Sequence, residues 1–162
     1  MKRKRVLIAN RGEIAVRIIR ACEESDIETV LVVSEADKES LGARLADKVV
    51  CIGPPQASLS YLNIPMIIAT ALGSGVDAIH PGYGFLAENP ELPAACEKNG
   101  IIFIGPRSET MRQLGDKIRA RNIAIHCGVP INQGSQGISN FHEVEAKVQE
   151  IGFPVLFKAS AG

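Results

Sequence analysis

The residues best placed to do chemistry form the run His80-Pro81-Gly82-Tyr83-Gly84, which directly follows an apolar stretch at 76–79. Pro81 ends the predicted strand, because proline has no N–H to donate to a sheet. The two glycines allow a sharp turn whose backbone lies close to a neighbour, and Tyr83 between them is suited to packing against a planar ligand. Ligands of open α/β sheets bind at the carboxyl ends of strands. The run therefore predicts one wall of a binding cleft.

His80 is a candidate general base or ligand, but a lone histidine more often makes a structural hydrogen bond. The other two histidines, His126 and His142, fall in polar helical stretches, so no nucleophile–histidine arrangement can be defended. The sequence also offers no cluster with metal-ligand spacing and no paired carboxylates for acid–base catalysis. We therefore predict a structural His80 and assign no catalytic residue or metal ligand.

Two lysines indicate phosphate binding. Lys117 follows Gly115-Asp116 at a predicted helix start, where the helix dipole disfavours a cation unless an anion lies near. Lys158 ends a predicted strand just before small residues, an arrangement that suits binding of phosphate by a point charge. Either lysine alone is by default a surface residue, but together they indicate a nucleotide.

The turn Asn10-Arg11-Gly12-Glu13 after the first predicted strand is a weaker candidate. Such a turn can point helix N–H groups at an anion, but the GxGxxG pattern of dinucleotide sites is absent. A tight turn with a carboxylate at the positive end of the helix is the stronger interpretation. Along the same helix, Arg17 and Arg20 lie at helical spacing from Glu13 and Glu24, which predicts a solvated ion-pair face.

The composition narrows the class of protein. The 162 residues suffice for one domain and part of a second. The formal net charge is zero, so neither nucleic acid nor a membrane surface is expected as a partner. No apolar run can span a bilayer and no signal-peptide pattern is present. Four cysteines without metal-binding spacing predict reduced thiols in a cytoplasmic protein; they are Cys22, Cys51, Cys96 and Cys127.

Short apolar runs alternate with helical spacing as far as about residue 105, which is typical of a Rossmann-like α/β fold with a parallel sheet. The predicted strands are 6–9, 29–33, 49–52, 76–79 and 101–104, and the predicted helices are 13–24, 41–46, 64–72 and 90–99. In the first helix we expect the buried face to comprise Ile14, Ile18, Ala21 and Cys22.

Beyond residue 105 the pattern changes to helices over 108–114, 116–127 and 141–151, with Ser108 and Asp116 as candidate N-caps. A last apolar strand at 155–157 carries Lys158. A strand without a following partner would leave an unpaired hydrophobic edge, so we expect the sequence to end inside a second domain.

Six motifs, in order along the chain, resemble the N-terminal part of biotin carboxylase. This is the ATP-dependent component of acetyl-CoA, propionyl-CoA, pyruvate and related carboxylases. The motifs are IANRGEIAVRIIRA at 8–21, YLNIP at 61–65, AIHPGYGFLAEN at 78–89, FIGP at 103–106, GDK at 115–117 and GFPVLFKAS at 152–160.

The resemblance implies a Rossmann-like domain over 1–112 that precedes an ATP-grasp unit. A helical connector over 113–130 and the truncated start of the ATP-grasp lid over 131–162 would follow. It further implies that Lys117 and Lys158 contact ATP and that Tyr83 lies near biotin. A dimer surface is implied at or near Arg17, Arg20 and Glu24.

The implied activity is that of a ligase. Bicarbonate and ATP form carboxyphosphate, which carboxylates N1 of biotin, with Mg²⁺ (or Mn²⁺) bridging the phosphates. Biotin arrives on a carrier protein, a carboxyltransferase is the further partner, and the full-length parent is a homodimer or larger. The family's bicarbonate arginine, general base and metal carboxylates lie beyond residue 162, so we expect this chain alone to be inactive.

Two other functions compete with this interpretation. The chain could be a binding or assembly module without catalysis. It could also belong to another ATP-grasp enzyme, such as a carbamoyl-phosphate or purine-pathway ligase. The RGEIA and HPGYGFLAEN segments fit biotin carboxylase much better than these ligases.

Overall fold

The computed structural model describes residues 4–115, 117–132, 138 and 140–156. The chain divides into two compact units, Met1–Met111 and Arg112–Gly162. The first unit holds a sheet and its covering helices, and the regular elements described in the second are helices. Across the described residues, no helix is both long and apolar enough to cross a membrane. The boundaries after residues 112 and 130 stay predictions.

Five parallel strands form one sheet in the first unit, in the order β3-β2-β1-β4-β5. The strands are β1 (Arg5–Ile8), β2 (Glu28–Val33), β3 (Lys48–Cys51), β4 (Ala78–His80) and β5 (Ile102–Phe103). The helices are α1 (Gly12–Glu24), α2 (Leu41–Leu45), α3 (Ile64–Ser74), α4 (Glu91–Lys98), α5 (Ser108–Leu114), α6 (Lys117–His126) and α7 (Phe141–Ile151). The predicted parallel α/β fold is confirmed.

The strand order changes direction at β1. The chain runs outward from β1 through β2 to β3, and then crosses to β4 and β5 on the other side of β1. Ile8 lies opposite His80 in the β1–β4 register, so both strands end at the same point of the sheet. In open α/β sheets the crevice beside such a switch point binds ligands. The segments that follow β1 and β4 therefore line one crevice.

Alternate residues of the central strands enter two separate cores, because side chains along a strand point to opposite faces. On one face Leu7 and Ile79 pack in a cluster with residues of α3 and α4, among them Ile67 and Leu92. On the other face Ile8 and its neighbours pack against α1 and α2. Burial of both faces explains why the strands are continuous apolar runs rather than alternating ones.

The buried face of α1 differs from the predicted one. The buried residues are Ala15, Ile18, Ile19 and Cys22, whereas Ile14 is half-buried and Ala21 is exposed. A helix turns about 100° per residue, so positions 15, 18, 19 and 22 form a single stripe from which position 21 is displaced. The prediction for Ala21 was therefore wrong.

Element ends also shift by a few residues. Val76 follows α3 and its N–H donates to the Ala71 carbonyl at the end of that helix, so β4 begins only at Ala78. Ser108 does not cap α5 as predicted. It is the first residue of that helix, and its hydroxyl and N–H both donate to the Glu97 carboxylate, at 3.0 and 3.3 Å.

The second unit contains α6, α7 and the last residues of α5. Asn140 caps α7 by accepting the Glu143 N–H at 3.0 Å, while its amide donates to the Glu143 carboxylate at 2.9 Å. The first bond satisfies one backbone N–H of the first turn, as an N-cap does, and the second joins the two side chains. The predicted cap Asp116 lies outside the described residues. Val155 and Leu156 are described but are not in a strand, and no described residue pairs with them.

Candidate functional site

A turn after β4, residues His80–Phe85, forms the centre of the candidate site; we call it the HPGYGF turn. Gly82 and Gly84 have φ of +69° and +73°, and Phe85 follows at +45°. Glycine adopts this left-handed region without strain, whereas Phe85 requires support from its surroundings. The tight turn predicted from the two glycines is therefore present at the switch point of the sheet.

Gly82 and Gly84 have different surroundings. A Cβ on Gly82 would lie 2.7 Å from Asn10 Nδ2 and 2.7 Å from Ile14 Cγ2, whereas a Cβ on Gly84 would meet no atom within 4 Å. The backbone at Gly82 thus packs directly on the segment that follows β1. At Gly84 glycine is favoured only by the left-handed backbone conformation, and not by a close neighbour.

The side chain of Asn10 binds the backbone of the HPGYGF turn. This residue is 2% exposed. Its Nδ2 donates to the carbonyls of Pro81 and Tyr83, at 2.8 and 2.9 Å, and its Oδ1 accepts the Arg11 N–H at 2.9 Å. The predicted turn is present, since the chain changes from extended backbone at Arg11 to a φ of +58° at Gly12, where α1 begins. Its asparagine makes contacts that sequence spacing did not reveal.

His80 makes the local hydrogen bond that the structural interpretation requires. Its Nδ1 accepts the Gly82 N–H at 3.0 Å, so the ring is the neutral tautomer with the proton on Nε2. Burial lowers the pKa of His80 below its usual 6.5. The imidazole therefore stabilises the turn, and protonation of Nδ1 would remove that acceptor.

This arrangement predicts how stability depends on pH. Because the folded-state pKa of His80 is lowered, the unfolded state binds the proton first. The free energy of unfolding should fall as pH decreases from about 6.5 towards the folded-state pKa. A His80→Asn variant keeps an acceptor at this position without titrating and should lose that slope. Urea unfolding of both proteins across this window measures the difference, and equal slopes would contradict the assignment.

A partly buried hydroxyl–carboxylate network lies beside the turn, and no sequence motif predicted it. The Tyr61 hydroxyl donates to Asp37 Oδ2 at 2.7 Å and accepts the Ser34 N–H at 3.0 Å. The Ser34 hydroxyl also donates to Asp37 Oδ2, at 2.7 Å. The network joins the end of β2 to the segment before α3. Tyr61 stands out in the sequence only as part of the YLNIP motif, since nothing local links it to residues 24 positions earlier.

The network shifts the pKa of two of its groups. Burial alone would raise the pKa of Asp37, but the hydrogen bonds from Tyr61 and Ser34 and the charge of Arg11 outweigh it, and the pKa is lowered. Burial, together with the hydrogen bond to Asp37, raises the pKa of Tyr61 to about 12. Asp37 is therefore a carboxylate and Tyr61 a neutral donor at neutral pH.

Arg11 and two aromatic rings connect this network to the HPGYGF turn. The Arg11 guanidinium lies 5.7 Å from the centre of the Tyr61 ring and 5.5 Å from that of Phe85, and 3.8 Å from Asp37 Oδ2. The rings of Tyr61 and Phe85 stack with centroids 5.1 Å apart. These contacts account for the left-handed conformation of Phe85.

Tyr83 is 80% exposed at the tip of the turn. Its backbone carbonyl is bound by Asn10, but no hydrogen bond of its phenol occurs among the described residues. The ring is therefore available to a ligand. Its predicted contact with biotin stays a prediction.

The two predicted nucleotide-binding lysines belong to the second unit. Lys117 is the first residue of α6. The side chain of Lys117 and the whole of Lys158 lie outside the described residues. Their contact with ATP also stays a prediction.

The polar face of α1 does not form the predicted ion pairs. Arg17, Arg20, Glu13 and Glu24 are exposed, and none of them has an oppositely charged partner within 4 Å among the described residues. At exposed positions such pairs stabilise a helix by only about 0.2–0.5 kcal/mol, so solvation of the separate charges competes. Arg17 and Arg20 instead border an open cleft of about 650 Å³ between α1 and Leu41.

No group of three or more His, Cys, Asp or Glu side chains could hold a metal ion within the described part of the chain. Mg²⁺ in proteins is held through carboxylates together with substrate phosphates.

The fold and the switch-point turn define a class of protein: an open α/β domain with a parallel sheet, in which the switch-point crevice is the usual place of ligand binding. Residues 2–111 match the family described as "Biotin carboxylase, N-terminal domain", and the chain belongs to this family. It is 52% identical over 160 residues to Biotin carboxylase 1 of Bacillus subtilis, covering 98% of this chain and 36% of the relative. It is 50% identical over 161 residues to Biotin carboxylase of Pseudomonas aeruginosa, again covering 98% of this chain and 36% of the relative.

Solved structures of high similarity include a biotin carboxylase domain and a complete carboxylase. One is the biotin carboxylase domain dimer of Hydrogenobacter thermophilus 2-oxoglutarate carboxylase in complex with MgADP, ADP and bicarbonate. Its TM-score is 0.89 at 46% identity, covering 98% of this chain and 35% of that one. Another is the complete pyruvate carboxylase of Rhizobium etli, with a TM-score of 0.74 at 49% identity. The match covers 81% of this chain and 13% of the pyruvate carboxylase chain. The chain spans about a third of the length of the curated relatives it matches.

Proposed function

We propose that this chain forms the N-terminal part of a biotin carboxylase, the ligase that uses ATP and bicarbonate to carboxylate biotin on a carrier protein. One observation carries the proposal: the chain is 52% identical to a biotin carboxylase over 98% of its length, and this stretch includes the HPGYGF turn at the switch point of the sheet. The partners would be the biotin carrier and a carboxyltransferase, in the cytoplasm.

In this proposal the exposed ring of Tyr83 borders the biotin side of the site. Its exposure and the rigid backbone beneath it support that role. Lys117 and Lys158 would bind the phosphates of ATP, as a connector over 113–130 leads into an ATP-grasp lid beginning at 131. When bound, Mg²⁺ would neutralise charge on the transferring phosphoryl group. An α1 surface with Arg17, Arg20 and Glu24 would face a second protomer in a homodimer.

A chimera tests the proposal. Joining this chain to the remainder of Bacillus subtilis Biotin carboxylase 1 should give an enzyme that releases ADP only with both bicarbonate and biotin, whereas the 162-residue chain alone should release none. In the chimera, Lys117→Ala and Lys158→Ala should each lower kcat/KM for ATP by about 10²-fold, because a charge-matched phosphate contact is lost.

Lys147→Ala is the matched control, since Lys147 lies in the same unit and pairs with Glu150 on α7. It should leave turnover unchanged. A folded chimera without turnover would contradict the proposal and favour the assembly module. Biotin-dependent turnover by the chain alone would contradict its expected inactivity.

A further inference from the structure

We propose that Asn10 is a positioning residue that sets the place of Tyr83. It does so by holding the two carbonyls on either side of Gly82 with one amide nitrogen. The consequence for biotin binding rests on the proposed function above, but the positioning itself does not.

The orientation of the Asn10 amide is determined by its partners. Oδ1 accepts the Arg11 N–H, so Nδ2 must face the turn, where it donates to Pro81 and Tyr83. All three bonds are 2.8–2.9 Å long and the residue is 2% exposed. Both donors of the nitrogen are thus used, and water does not compete with them.

Asn10 is itself held by the sheet. It follows β1, and the Ala9 N–H before it donates to the His80 carbonyl at 2.9 Å. The position of Asn10 relative to the start of the HPGYGF turn is therefore set by strand pairing. The turn rests on a rigid element rather than on another loop.

The Tyr83 ring depends on this backbone contact for its position. Among the described residues its side chain has no hydrogen bond or ring contact, and 80% of the residue is exposed. The backbone therefore sets the place from which the ring extends, and Asn10 holds that backbone at the Tyr83 carbonyl. On the far side the turn is held at Phe85 by the Tyr61 stack. His80 would still accept the Gly82 N–H and the Gly84 carbonyl would still accept the Ala87 N–H, at 3.0 and 2.9 Å, so loss of Asn10 would release the Tyr83 carbonyl and the peptide group that joins Tyr83 to Gly84.

Few side chains could replace the amide. Aspartate has a similar shape but places oxygens against two carbonyl oxygens, and alanine removes both donors. A longer glutamine lacks room, because the turn already packs so closely that a Cβ at Gly82 would lie 2.7 Å from Asn10 Nδ2. Asparagine at this position is therefore required both for its two amide donors and for its size.

The test is ¹⁵N relaxation of the full 162-residue chain. The backbone order parameters of Tyr83 and Gly84 should fall from about 0.85 to below about 0.6 in Asn10→Ala. Asn10→Asp keeps the volume of the side chain and should give the same loss, so it decides the matter if the alanine variant does not fold. Thr29→Val is the matched control: Thr29 is also 2% exposed, and its hydroxyl bonds Asp47, away from the turn. It should leave both order parameters unchanged.

Unchanged order parameters at Tyr83 and Gly84 in a folded Asn10 variant would overturn the proposal, as would an equal loss in Thr29→Val. In the chimera, Asn10→Asp should raise KM for biotin several-fold and leave KM for ATP unchanged. Relaxation is measured without biotin. A loosened turn with an unchanged KM would therefore count against the role of Tyr83 at biotin, and not against positioning by Asn10.

Discussion

Replacing Gly82 with alanine should lower the free energy of unfolding by about 2–4 kcal/mol, the largest loss we expect from a single methyl group. The new Cβ would lie 2.7 Å from both Asn10 Nδ2 and Ile14 Cγ2, and Ile14 belongs to α1, which the sheet holds in place. The backbone would also have to keep a φ of +69°. Urea unfolding at neutral pH measures the loss.

Gly84→Ala is the matched control for this experiment. Its φ of +73° is nearly the same, but a Cβ there meets no atom within 4 Å. It should lose only about 1–2 kcal/mol, the cost of the left-handed conformation alone. Equal losses at the two positions would show that contact with Asn10 and Ile14 is unimportant.

Tyr61→Phe should cost about 2–3 kcal/mol at neutral pH. The variant keeps the buried ring but removes the hydroxyl, so the buried Ser34 N–H loses its acceptor and the Asp37 carboxylate loses a donor. Tyr83→Phe makes the same chemical change at a residue that is 80% exposed, and it should stay within about 0.5 kcal/mol of the parent.

The Tyr61→Phe variant should also change how the free energy of unfolding depends on pH. The pKa of Asp37 is lowered in the folded state, so its contribution is present above the ordinary value of 3.8 and is lost as pH falls through the folded-state pKa. Without the Tyr61 donor the pKa of Asp37 should move back up, and the cost of the substitution should be smaller in acid than at neutral pH. Unfolding curves of the parent and of Tyr61→Phe, recorded in acid and at neutral pH, test this. A loss of unfolding free energy that is the same at both would contradict the role of Asp37.

The parallel sheet was predictable because its signal is local. Each strand is a short apolar run bounded by turn residues, and each run is separated from the next by helical spacing. The HPGYGF turn was predictable for the same reason, since proline and two glycines leave few conformations. Strand ends were less predictable, as at Val76, where a helix-terminal hydrogen bond competes with strand pairing.

The contacts that support the site were not predictable in this way. Asn10 binds carbonyls 71 and 73 residues away, and Tyr61 binds a carboxylate 24 residues earlier. No spacing rule links such positions, because they meet only after the sheet has brought strand ends together. The prediction of ion pairs on the exposed face of α1 was wrong for a different reason. Helical spacing allows Arg17 and Arg20 to reach a carboxylate, but the small free energy of an exposed pair does not hold the side chains together.

The bond between Asn10 and Pro81 joins positions 71 residues apart. Closing a flexible loop of that length costs about 4 kcal/mol of chain entropy beyond a constant term. Pairing of Ile8 with His80 already closes almost the same loop, so the Asn10 bonds add little further closure cost. The wall of the cleft therefore forms once the centre of the sheet has paired, because the pairing of Ile8 with His80 has already brought Asn10 and Pro81 together.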